Sequence, residues 1–368
     1  MKKVTQQEIA DNLGISRLTV SKALNGSSGI HDEMKQLVLQ KAYELGYIKK
    51  GLDLQKIANV YDNDPGDQVV SLFTFEGGHI GIYWGQVING VASGLVRHGV
   101  DLNLCLVRKY DETSFETPAN FNPKRSKGII TLGNFNKNHI KKMKAFGLPL
   151  VSIDTIREAN DYRLITDTVM MCNEQPVTEI TTSLIRNGHK EIGYVGEVAS
   201  CRSFRERWLG FKRGMKKYNL EIDESLCCLH YKSSTMTPEI IQKAVGELPK
   251  LPTAFVCAND FTALNVIQAL QKLGKVVPGD IAISGFDNTF ESDFLNITTV
   301  DCYKVELGER AADELFLRIS NPRYPFVSVR MMTKVIFRES TNKIIAMGVS
   351  ESTQNNNRSV NDVEKDIK

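Results

Sequence analysis

The first fifty residues carry short apolar stripes separated by polar positions, a pattern that predicts a series of short helices. Thr5 and Glu8 have the spacing of a capping box, in which the threonine oxygen accepts the N–H of Glu8 and the glutamate reaches back. Gly14 supplies the left-handed turn that ends this helix, and Ser16 caps a second helix that runs to about Asn25. Two short helices joined in this way form a helix-turn-helix pattern.

A third helix is predicted between Asp32, which can cap it, and Gly46, which ends it. Apolar residues recur along it at steps of three and four, as expected for a helix with one buried side. These residues are Met34, Leu37, Val38, Ala42 and Leu45.

From residue 69 the pattern changes to short apolar runs that alternate with helical patterns. The runs "VVSLFTF", "LNLCLV", "GIITLG" and "PLVSID" predict four strands, and the same alternation resumes at "EIGYVG", "AFVCAND" and "DIAISGFDN". Continuously apolar strands between helices are typical of a parallel sheet covered on both faces. The sequence therefore predicts an α/β core of two doubly wound parallel-sheet subdomains.

Composition is that of a globular protein with more than one domain. The chain has 368 residues, of which 42% are hydrophobic and 24% charged. We find no apolar run long enough to cross a bilayer and no signal peptide at the N-terminus, so we expect a cytoplasmic protein.

The seven cysteines are odd in number and scattered, which favours reduced thiols over disulfides or a zinc site. The adjacent Cys227 and Cys228 could alternatively form a redox pair.

The net charge of +3 is carried by the first fifty residues, which hold eight Lys/Arg and five Asp/Glu. In the second helix the apolar residues share one side, which leaves Arg17, Leu18 and Lys22 on the other. In a DNA major groove, a cation on such a face can reach guanine acceptors and the leucine can contact a thymine methyl group. The alternative is a helical interaction module with an ordinary charged surface.

The stretch "VTQQEIADNLGISRLTVSKALNG", followed by "YELGY", resembles the N-terminal domain of the LacI/GalR (lactose repressor) family of bacterial transcriptional regulators. The resemblance implies that Arg17, Leu18 and Lys22 read bases in operator DNA. It also implies that six polar residues lie near the DNA, namely Thr5, Gln7, Ser16, Thr19, Ser21 and Asn25.

The linker over residues 51–67 departs from the family pattern. The family usually has a proline and then a hinge helix that enters the minor groove, but this chain lacks the proline and has Asp53 and Lys56 at the alanine and leucine positions. An apolar residue such as Leu54 can still separate base steps as a wedge. A plain tether is the equal alternative.

Polar residues follow several predicted strands of the core. Asp154, Asn259 and Asp287 each end a strand, and Arg207 begins a helix after another. Ligands of doubly wound sheets lie beyond the carboxyl ends of the strands. One such residue is usually a turn former or a helix cap, but their recurrence predicts an effector-binding site.

The segments "RNGHKEIGYVGE" and "AFVCANDFTALNVIQALQKLGKVVPGDIAISGFDN" resemble the periplasmic-binding-protein-like effector domain of the same family. By this resemblance Asp154, Arg207, Asn259 and Asp287 contact a small effector, with Cys302 nearby. Trp84 or Phe204 can stack on a sugar ring, although packing in the core or between subunits explains Trp84 equally well. We expect a sugar or sugar phosphate, and as the second choice a purine or nucleoside.

The predicted domains are a helix-turn-helix DNA-binding domain (1–50), a linker (51–67), an effector-binding and dimerisation domain (68–345) and a disordered tail (346–368). Within the large domain we predict an N-subdomain of about 68–160 and 300–322 and a C-subdomain of about 161–299 and 323–345.

Three functions fit these elements: a DNA-binding regulator, an enzyme on a doubly wound scaffold, and a sugar-binding transport protein. The chain has no P-loop, GxSxG or HExxH motif, so we predict no catalytic residues, metal or cofactor. A transport protein would need a signal peptide. We therefore predict a homodimeric, effector-responsive regulator that represses a carbohydrate-utilisation operon.

Overall fold

The structure is a computed structural model. It describes residues 4–25, 30, 34–35, 37–38, 41–42, 45, 47, 68–75, 82–107, 115–154, 165–198, 201–229 and 237–342. The whole predicted linker, including Leu54, and the predicted tail lie outside the described residues, as do the predicted ends of the third helix, Asp32 and Gly46.

Helices and strands alternate along most of the described chain. The helices are α1 Gln6–Leu13, α2 Arg17–Leu24, α3 Ile82–Val96, α4 Lys137–Lys144, α5 Glu174–Arg186, α6 Arg202–Lys217, α7 Pro238–Gly246, α8 Asp260–Lys272, α9 Phe290–Phe294 and α10 Lys304–Ser320. The strands are β1 Val69–Phe75, β2 Asp101–Val107, β3 Ser126–Leu132, β4 Leu150–Ile153, β5 Asp167–Met171, β6 Ile192–Val195, β7 Ala254–Cys257, β8 Ala282–Ser284, β9 Thr299–Asp301, β10 Ser328–Met331 and β11 Lys334–Ile336.

The helix-turn-helix prediction is confirmed at its caps. The backbone N–H of Glu8 donates to Thr5 Oγ1 (3.3 Å), and the backbone N–H of Thr5 donates to the Glu8 carboxylate (2.8 Å), which completes the capping box. Gly14 follows α1 with φ 66°, and Ser16 Oγ accepts the N–H of Thr19 (3.1 Å) at the start of α2. These bonds fix where both helices begin and where α1 ends.

A small core holds these helices together. Its buried residues are Ile9, Ala10, Val20, Ala23, Leu24, Val38 and Ala42, and Leu13 and Leu45 pack against it. Leu37, which the sequence pattern places among the apolar positions of the third helix, is 44% exposed. Val38 and Ala42 are one turn apart and face the core, whereas Leu37 is one residue before Val38 and is turned away by about 100°.

The first of two compact units comprises Met1–Cys172, Ala199–Arg205 and Cys302–Thr333. Its sheet has six strands in the order β10-β5-β4-β3-β1-β2, and every neighbouring pair is parallel. All six strands therefore begin at one edge of the sheet and end at the other.

Helices α3 and α10 pack against each other at very short range in this unit. A Cβ atom built on Gly90 would lie 1.9 Å from the carbonyl oxygen of Val305, and one built on Gly308 would lie 2.1 Å from that of Val87. Glycine is required at both positions because the two backbones nearly touch.

A buried ion pair joins α10 to the start of β5. Arg318 donates to both carboxylate oxygens of Asp167, at 2.6 Å and 2.8 Å, and Asp167 is fully buried. Arg318 also donates to the carbonyl oxygens of Tyr324 (2.7 Å) and Pro325 (3.1 Å). The hydrogen bond to Asp167 is the main reason why the pKa of Arg318 is raised. The pair thus fixes the connection between α10 and β10.

The second unit comprises Asn173–Val198, Glu206–Asp301 and Lys334–Lys368. It has a parallel sheet in the order β6-β7-β8 and a two-stranded antiparallel sheet of β9 and β11. One hydrophobic cluster of this unit lies between the parallel sheet and the helices α7 and α8.

The predicted subdomain boundaries at 160/161 and 322/323 differ from the points where the chain passes between these units. β5 pairs with β4, and β10 pairs with β5, so both strands belong to the sheet of the first unit. The sequence pattern identifies these strands but not their hydrogen-bonding partners.

The predicted fold class is confirmed: a small helical domain precedes an α/β core that contains two parallel sheets. Within the described ranges, no helix has both the length and the apolar character needed to span a membrane.

Candidate DNA-reading helix and effector-binding residues

Helix α2 buries one side and exposes the other. Val20, Ala23 and Leu24 are buried in the small core. On the opposite side Arg17 and Lys22 are exposed, and Leu18 is 66% exposed. An apolar side chain between two cations is thus available to a partner, which is the arrangement that reading a DNA groove requires.

Polar groups surround this face. Ser16 Oγ and Thr19 Oγ1 are 2.8 Å apart at the start of α2, Gln7 donates to Asp11 (2.8 Å), and Asn25 Nδ2 lies 3.4 Å from Ser21 Oγ. Thr5 is exposed at the start of α1. Hydroxyl, amide and helix N-terminal groups of this kind are typical phosphate contacts. The assignment of these residues to DNA stays a prediction.

Arg207 is the centre of a buried polar cluster in the second unit. Its side chain is 4% exposed, and it donates to Asn173 Oδ1 (3.0 Å), to the carbonyl oxygen of Ala258 (2.7 Å) and to Asp287 Oδ1 (3.4 Å). Its guanidinium carbon lies 3.6 Å from the centre of the Phe286 ring. The stacking and the three acceptors hold the guanidinium in one orientation.

Asp287 follows β8 with φ 111°, and its side chain is 14% exposed. This backbone conformation is uncommon for a residue with a side chain and often marks a functional site. Asn259 follows β7, and its Oδ1 accepts the N–H (2.9 Å) and the hydroxyl (2.7 Å) of Thr262. Asn259 therefore caps α8, whatever its role toward a ligand.

The remaining predicted effector residues belong to the first unit. Asp154 is 5% exposed, follows β4 and has φ 59°, and Cys302 is fully buried just before α10. Trp84 and Phe204 are half-buried, and the Trp84 ring lies edge-on to Tyr83 at 4.8 Å. The structure thus brings Arg207 and Asp287 into direct contact and places the other residues at strand ends or helix starts.

Two residues of the Arg207 cluster were not among the predicted contacts. Asn173 is fully buried before α5, and its Nδ2 donates to Glu206 (3.2 Å) while its Oδ1 accepts Arg207. Phe286 is fully buried beneath the guanidinium. A buried asparagine directly after an apolar strand is a weak signal in the sequence, and Phe286 is indistinguishable from an ordinary core residue.

His189 and the cysteines, whose side chains could carry out chemistry, are part of the folded interior or are unreactive. His189 is fully buried, and its Nδ1 lies 3.0 Å from Thr253 Oγ1. All seven cysteines are free thiols, which confirms that prediction. Burial raises the pKa of Cys227 to about 11 and that of Cys228 to about 12, so both are protonated at neutral pH and react poorly.

Comparison with known proteins identifies the two domains. Residues 5–50 match the model of "Bacterial regulatory proteins, lacI family", and residues 181–341 match the "Periplasmic binding protein-like domain". The chain has a LacI-family DNA-binding domain and a periplasmic-binding-protein-like domain. Similar relatives include the HTH-type transcriptional repressor PurR of Mannheimia succiniciproducens, 27% identical with 92% of this chain and 99% of that protein covered. The uncharacterized HTH-type transcriptional regulator YvdE of Bacillus subtilis is 28% identical over the same shares of each chain.

Solved structures show the same fold. The lac repressor dimer bound to operator and the anti-inducer ONPF has a TM-score of 0.65 and 20% identity, with 92% of this chain and 99% of that chain covered. The complex of the transcriptional regulator CelR with cellobiose has a TM-score of 0.63 and 20% identity, with 92% and 100% covered.

These two domains and the relatives identify the protein as a DNA-binding transcriptional regulator with an effector-binding domain, and regulators of the LacI type are not enzymes. LacI-family regulators bind operator DNA and act as dimers. The exposed face of α2 lies in the first matched segment, and Arg207, Phe286 and Asp287 lie in the second, whereas Asn173 precedes it.

Proposed function

We propose that this LacI-family regulator is a repressor of carbohydrate-utilisation genes, that α2 reads its operator, and that a sugar controls its affinity for that operator. The observation that carries the DNA part is the exposure of Leu18 between Arg17 and Lys22. Burial of this leucine against a thymine methyl group would remove apolar surface from water, and the two cations would bind base or phosphate acceptors.

The Arg207 cluster supports a hydroxylated effector. Asp287 retains some exposure beside Arg207, and the two side chains together carry no net charge. A carboxylate accepts hydroxyl protons, and a guanidinium donates to hydroxyl oxygens. Because Asp287 already neutralises Arg207, the pair favours a neutral sugar over a sugar phosphate. Trp84, Asp154, Phe204, Asn259 and Cys302 are proposed to contribute further contacts.

Two of the similar structures contain sugars, which supports the same choice. CelR was solved as a complex with cellobiose, and a LacI family transcriptional regulator from Enterococcus faecium was solved with bound ribose, at a TM-score of 0.61 and 20% identity.

The test is a gel-retardation assay of the purified protein on DNA from upstream of its own gene, repeated with neutral sugars, sugar phosphates, purines and nucleosides. Retardation that a neutral sugar changes supports the proposal. A response to purines alone would replace the proposed effector, and absence of retardation at moderate salt would contradict the proposed function. Thermal unfolding with the same compounds gives an independent readout, because binding to the native state raises Tm.

Asp287→Asn is expected to weaken effector binding by about tenfold to hundredfold, because a hydrogen bond to a charged group contributes about 1.5–3 kcal/mol. Operator affinity in the absence of effector is expected to stay near that of the unaltered protein. The measurement is a titration of the effector by calorimetry, combined with the retardation assay.

Asp293→Asn is the matched control. Asp293 also pairs with an arginine of the second unit, Arg338 (2.9 Å), but its side chain is 74% exposed. Equal loss of effector affinity in both variants would show that the charge of the unit matters, and not the position of Asp287.

We also propose that the homodimer forms through an apolar surface of the second unit. Phe290 and Phe294 of α9 are 72% and 76% exposed, and their rings lie 6.4 Å apart. Phe261 at the start of α8 is 45% exposed. Such clusters of exposed aromatic side chains mark interaction surfaces, and aromatic residues are enriched in the core of interfaces.

The double variant Phe290→Asp, Phe294→Asp is expected to be monomeric and to bind a two-half-site operator much more weakly, because charges in an apolar interface are not compensated. Sedimentation velocity measures the first effect and the retardation assay the second. Val276→Asp, at a residue that is 62% exposed, introduces a charge elsewhere on the unit and is expected to leave the dimer intact. A dimeric double variant would exclude this surface.

A further inference from the structure

The strands of the six-stranded sheet all begin at one edge, and the chain first enters the sheet at this edge, at the start of β1. All neighbouring strands of this sheet are parallel, so their amino ends share this edge. The N–H of Val69 donates to the carbonyl oxygen of Arg125 at 3.0 Å, next to the start of β3. The chain that follows the DNA-binding domain therefore reaches the six-stranded sheet at this edge.

Basic residues from three separate connections gather at the same edge. Lys124 and Lys127 flank the start of β3, and Lys141 and Lys144 lie on the last turn of α4, which leads into β4. Arg323 is exposed in the connection that leads into β10. We call these five residues the cationic edge.

Lys144 contacts the chain just before β5 and just before β10, so the connections that lead into β4, β5 and β10 lie next to one another. Its Nζ donates to the carbonyl oxygen of Ile165 (2.7 Å), just before β5, and lies 4.7 Å from the centre of the Phe326 ring, just before β10. The same ring has the guanidinium of Arg318 at 5.0 Å. The amino ends of β4, β5 and β10 are thus joined around one aromatic ring.

Acidic residues of the described chain offset only part of this charge, among them Asp101, which is exposed at the start of β2. Arg97 and Arg318 reach the same edge, but they are paired, Arg97 with Glu309 and Asp313 and Arg318 with Asp167. In the part of the chain that the structure describes, no ion pair is formed by Lys127, Lys141 or Arg323. Compensation of the α4 dipole explains basic residues at its C-terminus, but it does not explain Lys124, Lys127 or Arg323.

We propose that the cationic edge binds phosphates of the DNA duplex that α2 reads, so that the core as well as the helix-turn-helix domain contacts operator DNA. The proposal rests on the proposed operator binding. Residues 48–68 join the two parts, and a fully extended chain of this length spans about 70 Å. DNA held by α2 is consequently kept at high effective concentration beside the edge, so that even weak phosphate contacts add to the affinity.

The test compares the salt dependence of operator binding in two triple variants of the full chain. The edge variant is Lys141→Gln, Lys144→Gln, Arg323→Gln. The control, Lys212→Gln, Lys216→Gln, Lys217→Gln, removes the same charge from exposed lysines of α6. The dissociation constant is measured between about 50 and 200 mM salt, where each lost phosphate contact lowers the slope of log K against log salt by about 0.9.

The edge variant is expected to lose up to about three units of slope and to keep its preference among operator sequences, while the control keeps the slope of the unaltered protein. An unchanged slope in the edge variant, or the same change in both variants, would overturn the proposal. Failure of all three proteins to bind operator would instead contradict the proposed function and this proposal with it.

The double variant Lys141→Gln, Arg323→Gln retains the contacts of Lys144 with Ile165 and Phe326. Its salt dependence of operator binding is measured as well, so that the proposal can still be tested if the triple variant does not fold. Its expected loss is up to about two units of slope.

Discussion

Replacement of Asp167 by asparagine is expected to lower the free energy of unfolding by about 3–5 kcal/mol, because it leaves the buried charge of Arg318 without its partner. Asp167 is fully buried, Arg318 is 8% exposed, and two hydrogen bonds of 2.6 Å and 2.8 Å join them. The carboxylate also accepts the N–H of Val327 (2.8 Å), so the variant loosens the start of β10. Urea unfolding followed by circular dichroism measures the change.

Glu174→Gln provides the comparison. Glu174 pairs with Arg213 at 2.7 Å, but the side chains are 37% and 68% exposed. An exposed pair contributes at most about 1 kcal/mol. If the two variants lost equal free energy of unfolding, burial would not explain the contribution of the Asp167–Arg318 pair to stability.

Arg17→Ala is expected to weaken operator binding by about 1–3 kcal/mol, or roughly 5- to 150-fold, since this is the contribution of one good base contact. The substitution leaves the fold intact, because Arg17 is exposed and α2 is held by Val20, Ala23 and Leu24. Fluorescence anisotropy with a labelled operator measures the loss.

Lys35→Ala removes the same charge from the DNA-binding domain at a residue outside α2. It is expected to have a small effect that is equal for all operators. A loss of operator affinity as large and as selective as that of Arg17→Ala would contradict the claim that the exposed face of α2 reads bases.

The sequence predicts the small helical domain well because its signals are local. The capping box of Thr5 and Glu8, the left-handed Gly14 and the cap by Ser16 each involve residues within three or four positions, and the structure has all of them. The exposure of Arg17, Leu18 and Lys22 follows from helical periodicity once the core side of α2 is known.

Features that depend on distant residues could not be predicted in this way. An apolar run predicts a strand whichever sheet it joins, so the sequence pattern indicates β5 and β10 but does not show that they pair within the sheet of the first unit. The same limit applies to Arg207, whose partners Asn173, Ala258 and Asp287 are far apart in the sequence. The strand ends identify some of these residues, but only the fold shows that they share one guanidinium.

The central claim is that the exposed face of α2 reads bases, and the most direct test is a thermodynamic cycle between Arg17 and the operator. Binding free energies of the unaltered protein and of Arg17→Ala are measured for operators in which each base pair is changed in turn. The claim predicts that Arg17→Ala abolishes discrimination at one base-pair position of each half-site, worth about 1–3 kcal/mol, and leaves it intact at the others. A loss that is the same for every operator would contradict the claim.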